Sequence, residues 1–86
     1  MTKRPTWCDW EIELSSHVTK RMRDRGFSEA DLRHMMEVAT AFRRHVGSDR
    51  WTVQTIHEAR RWEVTVDPDS NEHVVAVITA HPCEAQ

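Results

Sequence analysis

The seven residues Gly26-Phe27-Ser28-Glu29-Ala30-Asp31-Leu32 constrain this chain more than any other stretch. They stop one helix and start another with almost no connection between the two. Gly26 suits the C′ position, where the backbone turns left-handed and glycine carries no Cβ penalty. Ser28, with Asp31 three residues on, has the spacing of a capping box in which the shorter acid replaces Glu. Phe27 and Leu32 stand at the staple positions on either side of that cap. Upstream, Ser15 or Ser16 offers an N-cap, which predicts a first helix over 16–25. Downstream, Leu32, Met35, Met36, Ala39 and Phe42 recur at helical spacing and carry the second helix toward Gly47-Ser48-Asp49.

The flanking segments read as strands. Trp10-Glu11-Ile12-Glu13-Leu14 alternates apolar and acidic, as a half-buried edge strand does. Residues 51–57 are rich in β-branched side chains and 61–66 alternate, with Glu58-Ala59-Arg60 suited to a tight hairpin between them. Asp67-Pro68-Asp69-Ser70-Asn71 is a turn by composition. Residues 73–81 are apolar on both faces, which places that strand inside the sheet, and Pro82 stops it. Residues 1–9 form a loose lead-in and 10–81 the core of a single 86-residue domain. The predicted order is β-α-α-β-β-β, an α+β fold with two N-terminal helices packed on a mainly antiparallel sheet.

Composition narrows the function classes. Hydrophobic residues make up 38% and charged residues 30%, which excludes a disordered chain. The most apolar stretch, Val74 to Ala80, is far too short to cross a bilayer. The basic start has no apolar stretch behind it, so no signal peptide, a cytoplasmic location and no membrane association are expected. Cys8 and Cys83 lack any paired metal-binding spacing and are expected as free thiols. The net charge is −2, but its distribution is uneven: residues 1–50 hold ten Lys/Arg against eight Asp/Glu, and 51–86 hold two against six. A basic helical half hints at an anionic ligand on one face, without the strong excess of a general nucleic-acid binder.

The chemistry concentrates in His17-x3-Arg21-x3-Arg25-Gly26. On a helix, steps of four advance about 40° each, so one imidazole and two guanidiniums line a single stripe beside the apolar pair Val18 and Met22. Metal-free RNA cleavage needs a base for the 2′-hydroxyl, an acid for the leaving oxygen, and positive charge at the phosphate. Histidine suits either proton role and arginine the charge. His57 and His81, at strand ends, are further candidates, and Arg60 and Arg61 flank the hairpin. Arg43-Arg44-His45 is read as charge complementing the second helix's dipole, with His34 and His45 among its surface charges. Trp10, Trp51 and Trp62 are read as core. The six histidines include no i, i+4 pair, there is no Cys-x2-Cys, and no glycine-rich loop cradles a phosphate. No metal or other cofactor is expected.

The motif and the element order together resemble the RelE/ParE superfamily of small toxin-like proteins. The likeness is greatest to a branch whose first helix carries His-x3-Arg-x3-Arg-Gly and is followed by a capped second helix. Here those residues are His17, Arg21, Arg25 and Gly26, then Ser28 through Leu32, and the meander 51–81 matches in order and length. The resemblance covers residues 10–81. It implies a RelE-like fold with a concave surface for RNA. Many relatives cleave messenger RNA, often on the ribosome, and are held inactive by an antitoxin; others poison a topoisomerase. The leading expectation is a metal-independent endoribonuclease with His17, Arg21, Arg25 and His57 as catalytic residues, and Arg61 and His81 as substrate contacts. Its partners would be RNA or the ribosome, and a cognate antitoxin. Tyrosine, frequent in RelE-like active sites, is absent from the chain. The alternative is a non-catalytic interaction domain of the same fold, binding a protein or nucleic acid through the basic stripe.

Overall fold

The computed structural model describes residues 5–83, and both helix starts form as their capping residues dictate. Helix α1 spans Ser16–Arg25, with Ser15 Oγ accepting from the Val18 N–H at 3.1 Å. Gly26 ends it with φ of 74°, in the left-handed region that favours glycine. Helix α2 spans Glu29–Glu37 behind a complete capping box: the Ser28 N–H donates to Asp31 Oδ2 at 2.9 Å, and the Asp31 N–H to Ser28 Oγ at 3.2 Å. These contacts occupy donors that the first helical turn leaves without intrahelical partners.

The second helix is shorter than its spacing predicts. It stops at Glu37, and Ala41–Arg44 form strand β2, paired antiparallel with the start of β3, Trp51–His57. The physical reason is tertiary. Phe42 packs its ring edge-on against Trp7 at 5.8 Å. Gly47, with φ of 75°, turns the chain so that the His45 N–H reaches the Arg50 carbonyl at 2.9 Å. Arg43, Arg44 and His45 therefore do not complement a helix dipole. The two arginines lie on an edge strand, where charge discourages pairing with another chain. His45 leaves the helix surface too, and its Nε2 sits 2.6 Å from Thr52 Oγ1.

The observed order is thus β-α-α-β-β-β-β: an α+β fold with two helices and a five-stranded, mostly antiparallel sheet. With β1 at Glu11–Leu14, β4 at Arg60–Asp69 and β5 at Val74–Pro82, the strands run β1-β5-β4-β3-β2 across the sheet. The meander β3-β4-β5 is antiparallel, with an irregularity at Thr65/Val66, whereas β1 joins β5 in parallel. The doubly apolar β5 lies inside the sheet, and β1 lies at its edge.

Alternation assigns the two faces of the sheet. Ile12, Leu14, Val53, Thr55, Trp62, Val64, Val75 and Val77 face the helices, with α1 over β5 and α2 over β3. Val18 and Met22 from α1, and Leu32, Met35 and Met36 from α2, close that core, all of them buried. Burying each such side chain contributes about 1.5–3 kcal/mol. Thr55, the one buried polar residue among the described residues, donates its hydroxyl hydrogen to the Met35 carbonyl oxygen and so ties α2 to β3.

The expected loose lead-in is also corrected over part of its length. Thr6–Asp9 form a 3-10 turn that buries Trp7 and Cys8 in the same core, since an indole against Phe42 and Trp51 removes more apolar surface than a free terminus would. Residues 1–4 of that stretch lie outside the described residues. Cys8 is buried and Cys83 half-buried, and the two are not joined by a disulfide. Among the described residues, no helix is long and apolar enough to cross a membrane.

Candidate functional site

Gly26 does more than end α1: it aims Phe27 back at the sheet. The Phe27 ring lies 5.8 Å from His57 and 5.1 Å from Trp62, and those two rings lie 5.7 Å apart, nearly perpendicular. The three rings form one aromatic cluster at the β3-β4 hairpin. It leaves the His57 side chain only 14% exposed. Beside it opens a hollow of about 230 Å³ lined by Arg25 from the end of α1, His57, Glu58 and Arg60 from the hairpin, Trp62 from β4, and Pro82 from β5.

The hairpin itself is unusual. Glu58 and Ala59 both take left-handed backbone angles, with φ of 51° and 64°. A two-residue turn of this kind ordinarily uses Asn-Gly or Asp-Gly. Each non-glycine residue held there costs on the order of 1–3 kcal/mol, and such strain gathers at functional sites. The turn makes His57 and Arg60 a cross-strand pair, so both project from the same face of the sheet. It also sets the exposed Glu58 carboxylate 3.9 Å from His57 Nε2.

The hollow is electropositive. Two guanidiniums flank one imidazole, and a single carboxylate faces them. Asp31, on α2, is held below the ordinary aspartate pKa chiefly by the Ser28 backbone N–H, opposed by desolvation; the Ser28 hydroxyl, then His57 and His34, lower it further. The arrangement can grip a phosphate with paired N–H donors and exchange a proton beside it.

The expected site residues divide. Arg25 and His57 meet in the hollow. His17 and Arg21 are exposed on α1, but eight residues at 1.5 Å rise put His17 about 12 Å along the axis from Arg25. The stripe exists, therefore, while only its last member lines the hollow. Arg61 and His81 fall on the opposite face of the sheet. Arg61 pairs with Ile56 and lines a separate hollow of about 480 Å³ with Gln54, Glu63 and Cys83. His81 is paired with Glu63 across β4-β5, and its Nε2 stands 3.8 Å from the Glu63 carboxylate. Neither shares a face with His57. Glu58 was missed as a wall of the site, although an Glu-Ala pair where a tight hairpin favours glycine was a readable signal. Trp62 is buried as expected; Trp10 and Trp51 pack against the core while remaining half-buried.

Among the described residues, no group of three or more His, Cys, Asp or Glu stands together as a metal site. Comparison of the chain with protein-family models, with curated proteins and with solved structures returns no match.

Proposed function

We propose that this chain is a RelE-like domain that acts on RNA, gripping one backbone phosphate in the hairpin hollow and cleaving the strand without a metal. The observation that carries the reading is the meeting of Arg25, His57 and Arg60 around that hollow. Guanidiniums of fixed charge match phosphate oxygens in pairs, and an imidazole changes protonation near neutrality. In the reaction, the 2′-oxygen attacks phosphorus, a cyclic phosphate forms, and the bond from phosphorus to the 5′-oxygen breaks. Glu58 takes the proton from the 2′-hydroxyl. Protonated His57 gives one to the departing 5′-oxygen, while Arg25 and Arg60 offset the charge that builds on phosphorus. On this reading the protein works in the cytoplasm, with free or ribosome-bound RNA as substrate and a cognate antitoxin as its protein partner.

A second reading is a non-catalytic interaction domain of the same fold. One observation favours it: the hollow is open, with the Glu58 side chain 84% exposed, so water is not excluded from the reacting groups. RNA incubated with the purified protein and a chelator separates the two. Chelator-resistant products ending in a cyclic phosphate, lost in His57→Ala, support cleavage. RNA that is retained but intact supports the binding module. RNA neither bound nor cut removes the cleavage reading and leaves the interaction domain with a protein partner alone.

A further inference from the structure

At the other end of the sheet lies a further hollow, of about 220 Å³, that the RNA reading does not use. Three of the four tryptophans meet there: Trp7, Trp10 and Trp51, with Arg44 and Asp49 on the rim. We infer that this hollow binds a guanine base, stacked on indole and held at its edge by the Asp49 carboxylate and the Arg44 guanidinium.

The aromatic part has the right form. Trp7 is 6% exposed and lies edge-on to Trp51 at 5.5 Å, forming the floor of the hollow. Trp10 is stacked on His73 at 4.6 Å with planes only 20° apart. His73 itself holds a left-handed φ of 55° in the turn before β5. Trp10 and Trp51 remain half-buried beside the open hollow, and flat π surfaces of this kind are what bases stack on.

The polar part selects the base. Arg44 Nη2 and Asp49 Oδ1 stand 3.6 Å apart, with side chains 63% and 83% exposed. So loose a surface pair adds little to stability. Arg44 also donates from Nε to the Ser48 carbonyl at 3.4 Å, which steadies the guanidinium on the rim and leaves its Nη groups and the Asp49 carboxylate to turn to a ligand. A carboxylate accepts the two adjacent N–H groups on the Watson–Crick edge of guanine, and a guanidinium beside it donates to guanine O6 or N7. Adenine presents an acceptor where guanine presents N1–H, and faces repulsion from the carboxylate. A quaternary ammonium, the other usual guest of tryptophan clusters, is disfavoured by the guanidinium on the rim.

The site stands on different residues from the hairpin hollow. Trp51 and His57 are the first and last residues of β3, about 20 Å apart at 3.3 Å per residue. Failure at one site therefore leaves the other untouched.

The test is titration of the intact protein with GMP, AMP, CMP and UMP, followed through the indole N–H signals by NMR. GMP is expected to shift the signals of Trp10 and Trp51 and leave that of Trp62 in place, with GMP bound about tenfold more tightly than AMP, the scale of one good bidentate base contact. Asp49→Asn, on an exposed turn, should bring the two nucleotides to near parity without changing the rest of the spectrum. The inference is overturned if millimolar GMP leaves both indoles unmoved, or if all four nucleotides act alike and Asp49→Asn changes nothing. A proline-rich peptide that shifts these signals where GMP does not would equally overturn it, assigning the hollow to a protein partner.

Discussion

The Phe27 ring lies 5.8 Å from the His57 ring and 5.1 Å from that of Trp62, so the residue that follows the helix-stopping glycine is also the wall on which the imidazole rests. Helix termination and site geometry are coupled through one side chain. Phe27→Ala should cost about 3–5 kcal/mol, as other large-to-small aromatic changes in cores do. Phe27→Leu fills part of the space and should cost less while still loosening His57. Denaturant unfolding checks the first effect. RNA affinity of Phe27→Leu checks the second and should fall even where the fold survives.

The stripe on α1 makes a graded prediction. Arg25 lines the hollow and His17 does not, so Arg25→Ala should weaken RNA binding and flatten the plot of log affinity against log salt by about 0.7, the share of one phosphate contact on a single strand. His57→Ala should abolish cleavage. His17→Ala should leave most activity intact. Cleavage lost with His17→Ala and kept with His57→Ala would move the centre onto the exposed face of α1.

The parts of this architecture written locally were legible in sequence. The caps at Ser15 and Ser28, the stop at Gly26 and the alternation of β4 each depend on residues a few positions apart. The end of α2 was not legible, because Met36, Ala39 and Phe42 continue the helical spacing into a four-residue strand too short to show alternation. Only pairing with β3 and the contact with Trp7 decide that Phe42 is β. The parallel β1-β5 pairing joins residues from opposite ends of the chain and leaves no local mark. The site was half legible for the same reason. Residue chemistry nominated Arg25 and His57, but their meeting depends on Phe27 docking at the hairpin, and the face occupied by Arg61 depends on a register fixed by the turn at Glu58-Ala59.

The capping box on α2 gives a pH dependence. Asp31 has its folded pKa lowered, mainly by the Ser28 backbone N–H. A depressed carboxylate adds stability that is fully present above the ordinary aspartate value and is lost as pH falls through the folded value. Acid unfolding monitored by circular dichroism should therefore show a loss of stability at acid pH that Asp31→Asn removes. Ser28→Ala should cost about 1 kcal/mol at neutral pH by deleting the other half of the box. A wild-type acid profile unchanged in Asp31→Asn would contradict the cap's role.

The strained hairpin sets stability against function. Ala59 holds φ of 64° with a Cβ attached, a conformation costing an L-residue roughly 1–2 kcal/mol. Ala59→Gly relieves that strain but adds freedom to the unfolded chain, leaving a net gain of about 1 kcal/mol, which in a domain of this size raises the melting temperature by about 4–8 °C. The same relief should let Glu58 and Arg60 move relative to His57, so RNA binding should weaken as the protein becomes more stable. Calorimetry and RNA titration on the one variant measure both quantities. A rise in melting temperature with unaltered affinity would show that the strain is local to the turn and does nothing for the hollow. A fall in both would mean that the Ala59 methyl packs where the turn needs it.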